Sequence, residues 1–341
     1  MPLAIIAIVV GLVLLVWSAD RFVDGAAAVA RYAGMPSLLV GMLVVGFGTS
    51  APEMVVSVMA ALEGNSGLAL GNALGSNIVN TGLILGVVAI LSEKLNPIRV
   101  NSKIIRRELP LLLVIGGIVG VMLGNGALSR VESMMLLVGF FALIGWTIYD
   151  GYKGAGAVDS KAADLAGLET VGQACASKTI SPLPLTMTAG RAWFWLVMGL
   201  VILIASARLL VWGAVTVAQA LGVSDLMIGL TIVALGTSLP ELAASVVAVR
   251  RGEHDIAIGN VVGSNMFNLL AVVGLAGVIG PIAEVPSAVM IRDWPVMMSL
   301  TLGLLVMAYG FKNRGQLNRM DGTLLVLAFG AYNLWLGSVV Y

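Results

Sequence analysis

Charge, cysteine and histidine are what this sequence has least of. Only 11% of its 341 residues are charged, against about a quarter in soluble globular proteins, which excludes an ordinary soluble fold. The net charge of +1 gives no indication of nucleic-acid binding. The single cysteine, Cys175, excludes an intramolecular disulfide. The single histidine, His254, argues against a membrane enzyme, which needs a nucleophile–base pair or a metal-binding cluster.

Long apolar blocks fill most of the chain. Hydrophobic residues make up 59% of it, the mean hydropathy is +1.01, and the blocks are long enough to span a bilayer as helices. We therefore predict an all-α multi-pass membrane protein with the lipid bilayer as a partner. The ten predicted membrane-spanning helices cover residues 3–30, 36–62, 67–91, 104–124, 130–150, 191–218, 225–250, 256–280, 286–309 and 321–341.

Two parts of the chain repeat each other at a spacing of 188 residues. Gly-Thr-Ser-Ala-Pro-Glu at 48–53 returns as Gly-Thr-Ser-Leu-Pro-Glu at 236–241, and Gly-Asn-x-x-Gly-Ser-Asn-x-x-Asn at 71–80 returns at 259–268. A gapless comparison of the 64 residues that end with these segments gives about 27 identities. A repeated polar segment within apolar helices is typical of secondary transporters built from internal repeats.

Five helices per repeat make the two repeats cross the membrane in opposite directions. The repeats are therefore inverted and related by a pseudo-two-fold axis in the membrane plane. The predicted units are a first repeat at 1–150 with its motif at 46–80, a linker at 151–190, and a second repeat at 191–341 with its motif at 234–268. We expect broken helices 2, 3, 7 and 8 to form a cation site at the midplane.

The basic residues predict the orientation. With the N-terminus outside, 16 of the 19 lysines and arginines lie at inner loops or inner helix ends, and only Arg130, Arg208 and Arg292 lie outside. Both termini are then outside and the 151–190 linker is cytoplasmic. The expected location is the cell (inner) membrane.

Each repeat carries one glutamate, Glu53 or Glu241, deep in a predicted helix and without a nearby lysine or arginine in the sequence. A charge at this depth costs roughly 2.5–3.5 kcal/mol, so it needs a partner, and a bound metal cation is the partner that the sequence favours. A protonated glutamate in a helix interface is the alternative. Pro52 and Pro240 precede the glutamates and lack a backbone donor, which predicts a helix break just ahead of each carboxylate.

Oxygen atoms flank these predicted breaks. Carbonyl groups freed at Gly46 and Ala234 could face a cation, as in other transporters with discontinuous helices. The neighbouring hydroxyls belong to Thr49, Ser50, Thr237 and Ser238. They either cap the broken helices or contact the ion, and one hydroxyl can do both.

A polar stripe follows each glutamate motif. Its members recur every four residues on one helix face, and they are Asn72, Ser76 and Asn80 in the first repeat and Asn260, Ser264 and Asn268 in the second. Asn77 and Asn265 lie beside the stripes. All these side chains offer oxygen, which favours hard cations such as Na⁺ and Ca²⁺. Hydrogen bonding between helices is the alternative.

The charge of this site limits its cargo. Two carboxylates among neutral oxygens balance one Ca²⁺ or two Na⁺, and a site that must be occupied before it reorients exchanges the two ions. A cation channel is the other function class, but a channel usually places its filter on an oligomeric axis, whereas this chain holds both halves of a site. A monomer suffices for the site, the oligomeric state stays open, and no cofactor is expected.

The paired motifs resemble the two α-repeats of the Ca²⁺/cation antiporter superfamily, and within it the prokaryotic Na⁺/Ca²⁺ exchangers. The resemblance implies that Glu53 and Glu241 are shared acidic ligands and that the carbonyls of Gly46 and Ala234 complete the site. The other implied ligands are Thr49, Ser50, Ser76, Asn80, Thr237, Ser238, Ser264 and Asn268. It further implies exchange of Na⁺ for Ca²⁺ by alternating access, in which helices 1 and 6 slide against the remaining eight.

One position departs from part of this superfamily. Some members carry aspartate where this chain has Asn268, and the first stripe also ends in an asparagine, Asn80. The site therefore has one acid fewer than in those members, which leaves the stoichiometry and K⁺-dependent exchange open. The cation/proton branch has a different glutamate motif. That difference argues against Ca²⁺/H⁺ exchange, although a carboxylate in a membrane can also bind H⁺.

Charged residues near the inner end of helix 1 have two alternative roles. Asp20, Arg21 and Asp24 either line an ion entrance or reach water at the membrane surface. The repeat counterpart of Asp20 is Arg208, so these two residues do not perform one symmetric task.

Overall fold

The computed structural model describes residues 2–64, 66–92, 98–166, 187–221, 234–309 and 315–340, and most of them are helical. The helices of the first repeat are α1 Pro2–Tyr32, α2 Ser37–Val40, α3 Phe47–Thr49, α4 Ala51–Leu62, α5 Ser66–Ile78, α6 Leu85–Ser92, α7 Leu109–Leu123 and α8 Arg130–Ala166. Those that follow are α9 Ala189–Ala220, α10 Ala234–Thr237, α11 Leu239–Arg250, α12 His254–Phe267, α13 Val273–Ile279, α14 Trp294–Tyr309 and α15 Arg319–Val340. A short strand β1, Ile98–Arg99, pairs antiparallel with β2, Gln316–Leu317.

π-helical segments join several of these helices. Those in the described parts of the chain are Gly41–Gly46, Val79–Ile84, Ile104–Glu108, Asn268–Val272 and Val289–Asp293. Two of them begin at or beside the asparagine that ends each polar stripe, Asn80 or Asn268, so both stripes lie where a helix is locally widened. Widened turns of this kind are frequent at functional sites.

The helical membrane architecture is confirmed, and each predicted span overlaps a helix. Six described helices are long and apolar enough to cross a bilayer, and a seventh is helix 2, whose two pieces Ser37–Thr49 and Ala51–Leu62 meet at 42°. Helix 7 is interrupted as well, at Ser238 between α10 and α11. Helices 2 and 7 are therefore broken, as the prolines predict.

The prediction of breaks in helices 3 and 8 is wrong. Helix 3 runs without a break over Gly67–Leu91, and helix 8 does so over His254–Ile279. The π-helical segments absorb the irregularity that the polar stripes introduce, so the helix axis continues.

The predicted linker is partly helical. Helix α8 continues to Ala166, so residues 151–166 extend helix 5 beyond its apolar part. Residues 167–186 of the linker, and 225–233 of predicted helix 7, lie outside the described residues.

Apolar side chains face outward and polar ones face inward. Helix α1 exposes Leu3, Ile6 and Val13, each more than half accessible, whereas both glutamates and, apart from the half-buried Asn72, the asparagines of both motifs are buried. Apolar exteriors of this kind face hydrocarbon, and the buried polar groups face other helices. The chain is a multi-pass membrane protein.

The inverted two-fold relation is visible where α1 packs along α9. A Cβ atom on Gly11 would lie 2.9 Å from the backbone nitrogen of Leu210. A Cβ on Gly199, which is 188 residues after Gly11, would lie 2.8 Å from the backbone nitrogen of Phe22, which is 188 residues before Leu210. Contacts that interchange under the repeat shift are the mark of a two-fold axis.

A second pair of contacts obeys the same symmetry. A Cβ on Gly25 would lie 2.9 Å from the carbonyl oxygen of Ala192, and one on Gly213 would lie 2.7 Å from that of Ala4. Because contacts early in α1 involve residues late in α9, the two helices are antiparallel. Glycine lets their backbones touch at both crossings, and α1 and α9 form one tightly packed pair.

The start of helix 2 packs in the same way on helix 8 of the other repeat. Cβ atoms on Gly259 and Gly263 would lie 2.7 Å from the carbonyl oxygens of Leu38 and Met42, respectively. This close approach places the motif of the first repeat against the motif of the second.

Replacing Gly25 with alanine is predicted to destabilise the fold by about 1–3 kcal/mol, because the new methyl group would overlap the backbone of Leu196. Gly117→Ala in α7 is the matched control, since a Cβ there has no described neighbour within 4 Å. Thermal unfolding in detergent measures the effect. Equal melting temperatures for the two variants would contradict the backbone contact between α1 and α9.

Candidate functional site

Both helix breaks place a glutamate in the first turn of the helix that follows. Ser50, with φ −80° and ψ 0°, separates α3 from α4, and Glu53 is the third residue of α4. Ser238, with φ −92° and ψ 7°, separates α10 from α11, and Glu241 is the third residue of α11. The positive end of each helix dipole favours a carboxylate at this position.

The break in helix 2 falls just ahead of Glu53, as the sequence predicts, but it does not free the backbone carbonyl that is predicted to face a cation. The carbonyl oxygen of Gly46 is not freed, because it accepts the N–H of Ser50 at 3.0 Å and the hydroxyl of Ser264 at 3.2 Å. The interruption at Ser50 leaves the preceding turn intact. A cation that reached this carbonyl would take the place of the Ser264 hydroxyl. Ala234, the counterpart of Gly46, is the first residue of α10.

The two carboxylates are buried and carry few protein contacts. Glu53 and Glu241 are each 1% exposed and lie close enough to interact electrostatically. The hydroxyl of Ser50 donates to Oε1 of Glu241 at 3.3 Å. Neither carboxylate forms an ion pair with a lysine, arginine or histidine in the described parts of the chain. The negative charge of the site is therefore not balanced by a described basic side chain.

The first asparagine of each stripe supports the helix that carries the glutamate. The side-chain amide of Asn72 donates to the backbone carbonyl of Glu53 at 3.3 Å and to Oγ of Ser57 at 3.0 Å. Asn260 makes the same two bonds, 3.2 and 2.8 Å long, to the equivalent atoms of the second repeat. These two amides fix the main chain at each glutamate and leave the carboxylates free.

Four further asparagines join the repeats at the ends of the stripes. Asn80 donates to Oδ1 of Asn265 at 3.1 Å, and Asn268 donates to Oδ1 of Asn77 at 3.0 Å. These two bonds interchange under the 188-residue shift, so the pseudo-two-fold axis passes between them. Asn265 also donates to the hydroxyl of Thr81 at 2.9 Å. The alternative role of the stripes, hydrogen bonding between helices, is thus confirmed for the amide nitrogens.

Other side-chain oxygens of the two motifs do not take part in these hydrogen bonds. Six buried side-chain oxygens have no hydrogen-bond partner among the described residues: Oε1 and Oε2 of Glu53, Oε2 of Glu241, Oγ of Ser238, and Oδ1 of Asn80 and Asn268. Buried polar atoms normally have partners, so six oxygens without one in the two duplicated motifs require an explanation. All six belong to residues that the sequence predicts as cation ligands.

The hydroxyl groups predicted as ligands differ in the contacts that they make. The hydroxyl of Thr49 has one proton to donate and three acceptors within reach, the carbonyl oxygens of Val45 at 3.0 Å and Gly46 at 3.4 Å and Oδ1 of Asn260 at 3.1 Å. Ser76 is buried on its stripe. The capping alternative is wrong for the hydroxyls of Ser50 and Ser238, which make no capping bond at the helices that follow them.

Sequence reasoning missed Thr81, which accepts the amide of Asn265. Its counterpart in the second repeat is Leu269, so a comparison of the repeats carries no signal for it. A cavity of about 260 Å³ also adjoins the site between α4 and α9, and its walls include Pro52, Arg208 and Pro240.

Comparison with known proteins identifies the family. The family model described as "Sodium/calcium exchanger protein" matches residues 3–149 and, a second time, residues 191–337. The chain belongs to this family of cation transporters. The resemblance to prokaryotic Na⁺/Ca²⁺ exchangers that the motifs indicate is thereby confirmed.

Individual relatives agree over nearly the whole chain. The chain is 44% identical to "Putative antiporter CaxA" of Alkalimonas amylolytica, over 99% of this chain and 100% of that protein. It is 30% identical to "Sodium/calcium exchanger MaX1" of Methanosarcina acetivorans, over 95% and 96% of the two chains. The solved structure of the sodium-calcium exchanger NCX_Mj soaked with zero Na⁺ and Ca²⁺ superposes with a TM-score of 0.78 at 27% identity, covering 98% of this chain and 99% of that one.

Replacing Asn265 with leucine is predicted to destabilise the protein by about 1–3 kcal/mol, because it leaves the buried amide of Asn80 without its acceptor. Asn333→Leu is the control, since among the described residues the Asn333 amide bonds only to the Phe329 carbonyl of its own helix. Chemical unfolding in detergent compares the two. If Asn265→Leu costs no more than the control, the asparagine contacts between the repeats are not what stabilises this interface.

Proposed function

We propose that the protein is a secondary antiporter that exchanges Na⁺ for Ca²⁺ by alternating access. The carrying observation is that six buried side-chain oxygens of Glu53, Glu241 and three further residues of their motifs have no hydrogen-bond partner among the described residues. Two ionised carboxylates without a described basic partner are costly inside a membrane protein, and bound cations are the simplest way to neutralise them. The sites are made only of oxygen, which suits Na⁺ and Ca²⁺.

The number and charge of these oxygens fit the proposed cargo. Ca²⁺ takes six to eight oxygen ligands in flexible geometry, and six are already unpaired here. We propose Glu53 and Glu241 as the shared ligands of the ion. Asn80, Asn268 and Ser238 are supporting ligands whose oxygens need not give up a described hydrogen bond. The others become ligands where an ion displaces their present contacts, and they are Thr49, Ser50, Ser76, Thr237, Ser264 and the carbonyls of Gly46 and Ala234. Either one Ca²⁺ or two Na⁺ cancels the two negative charges, so the ions compete.

An asymmetry between the repeats supports alternating access. Ser50 donates to Glu241, but its counterpart Ser238 has no described partner, and neither do the carboxylate oxygens of Glu53. Two nearly identical motifs therefore adopt different arrangements in one state. In an inverted-repeat transporter, exchanging the arrangements of the two repeats gives the state that opens to the other side.

The relatives support the choice of ions only by their names. MaX1 and NCX_Mj are named as sodium/calcium exchangers, whereas CaxA is named only as a putative antiporter. We further propose that 1–150 and 191–341 are the two repeats, with the 151–190 linker cytoplasmic, both termini outside and the inner membrane as the location. One chain is sufficient for the site, no cofactor takes part, and the protein is not an enzyme.

Removing either carboxylate is predicted to abolish exchange. Glu53→Gln or Glu241→Gln should reduce Na⁺-driven Ca²⁺ uptake at least tenfold, because the site then carries one charge too few for Ca²⁺. Glu284→Gln, at an exposed loop glutamate, is the control and should transport normally. Uptake into proteoliposomes that contain equal amounts of each variant measures this. Normal uptake by either site variant would refute the ligand assignment.

The driving gradient distinguishes the candidate functions. Vesicles are loaded with Na⁺, with K⁺, or with a buffer that imposes a pH gradient, and diluted into Ca²⁺ medium. We expect uptake only with internal Na⁺. Uptake driven by the pH gradient alone would assign the protein to Ca²⁺/H⁺ exchange. Uptake that needs no counter-ion would indicate a channel.

A further inference from the structure

An ion-pair cluster outside the cation site connects α1 to the end of α11. Arg251, the residue after α11, forms ion pairs with Asp20 and Asp24 of α1, and its Nε donates to Oδ1 of Asp20 at 3.0 Å. Helix α11 begins with the turn that carries Glu241. The cluster therefore ties the α1–α9 pair to the helix that holds one of the two carboxylates.

The repeat supplies an equivalent pair with the charges reversed. The residue 188 positions before Arg251 is Glu63, which follows α4, and the residue 188 positions after Asp20 is Arg208, on α9. Each pair joins the two repeats: Asp20 and Glu63 belong to the first repeat, and Arg251 and Arg208 belong to the second. The repeat shift relates Arg251 to Glu63 and Asp20 to Arg208, so the charges of the pair are interchanged. Each pair therefore combines one acidic and one basic residue, although the residue type changes at both positions between the repeats.

Only one of the two contacts is formed in this structure. Glu63 and Arg208 are both exposed and, in the chain as described, make no ion pair with each other. Between their helices, α4 and α9, lies the cavity of about 260 Å³ that adjoins the site, and Arg208 is part of its wall.

The two contacts lie on opposite sides of the cation site. Because α1 and α9 are antiparallel, Asp20 and Arg208 lie toward opposite membrane faces, as do the ends of α11 and α4. On the Asp20 side, α1 packs against α11, and a cavity of about 470 Å³ between them is lined by Asp20, Arg250 and apolar residues such as Leu12 and Val13. The residues that line it include none of the proposed cation ligands. Of these two cavities, the one beside the ion pair that is not formed is lined by residues of the glutamate motifs, Pro52 and Pro240, and the other is not.

We propose that Arg251 with Asp20 and Glu63 with Arg208 are alternating latches of the transport cycle. This inference rests on the proposed alternating access. When the α1–α9 pair shifts, the Arg251 latch opens on its side, and the Glu63–Arg208 latch forms and closes the cavity on the other side. The four residues are positioning residues, because they act through the helices that carry Glu53 and Glu241 and do not touch the ion.

The repeat symmetry is the reason to expect the second latch. Exchanging the arrangements of the two repeats gives Glu63 and Arg208 the relative position that Arg251 and Asp20 have here. Opposite charges in that position attract. Each latch is partly exposed, so it is weak enough to break in every cycle.

The test measures how often the cavity is open. Cys175→Ala removes the native thiol, and Val56→Cys places a single thiol on the cavity wall. The rate of labelling by a bulky, charged maleimide is measured in nanodiscs in choline buffer. This readout needs no transported ion, so it stays valid even if the proposed cargo is wrong.

The two latches should act in opposite directions. Arg251→Gln should slow labelling about two- to fivefold, the range expected for an exposed ion pair, because the state with the closed cavity gains population. Glu63→Gln added to Arg251→Gln should bring the rate back toward its original value. Lys103→Gln, which removes a partner of Asp150 elsewhere, is the control and should leave the rate unchanged.

A charge swap completes the design. Asp20→Arg combined with Arg251→Glu recreates at one end the pair found at the other, and it should restore the rate that either single change lowers. The proposal is overturned if Arg251→Gln leaves labelling unchanged, or if Glu63→Gln slows it further. Asp24 would repel a glutamate at position 251, so the swap is also made together with Asp24→Asn. Failure of this combined variant to restore the rate would also overturn the proposal.

Discussion

Two carboxylates that are buried in a membrane protein without a described basic partner are the constraint on which the rest of the structure depends. Helix breaks at Ser50 and Ser238 place both glutamates in first turns, where the helix dipole favours negative charge. Asn72 and Asn260 fix the main chain beside them. The same motifs contain buried oxygens without described hydrogen-bond partners, which most protein interiors do not have. Such an arrangement is unfavourable as a resting core and favourable as a place for cations.

Both repeats contribute to this site, and most of the contacts between them obey one two-fold relation. Glycine contacts between α1 and α9, and asparagine contacts between the stripes, obey the same two-fold relation. The hydrogen bond from Ser50 to Glu241 and the ion pairs of Arg251 do not, because their counterparts are not formed. In the proposed transport cycle, the symmetric contacts belong to the parts that stay together. The asymmetric contacts belong to the parts whose arrangement would change.

Much of the fold and of the candidate site could be predicted from the sequence, because the two repeats can be compared with each other. Duplicated motifs identify Glu53 and Glu241, and apolar blocks identify the spans. Local backbone geometry could not be predicted: the prolines indicate a break but do not show that it falls at Ser50, and the stripes do not show that a π-helical segment keeps helices 3 and 8 continuous. Thr81 was missed because its counterpart is apolar.

Anomalous diffraction from Ca²⁺ in crystals of the protein tests the central claim most directly. The account predicts one dominant peak between Glu53 and Glu241, within about 2.6 Å of an oxygen of each, the upper range of Ca²⁺–oxygen distances in proteins. It also predicts that the peak is lost when Na⁺ replaces Ca²⁺. A Ca²⁺ peak elsewhere in the membrane region, with the two carboxyl groups hydrogen-bonded to each other, would contradict the assignment of Glu53 and Glu241 as ligands.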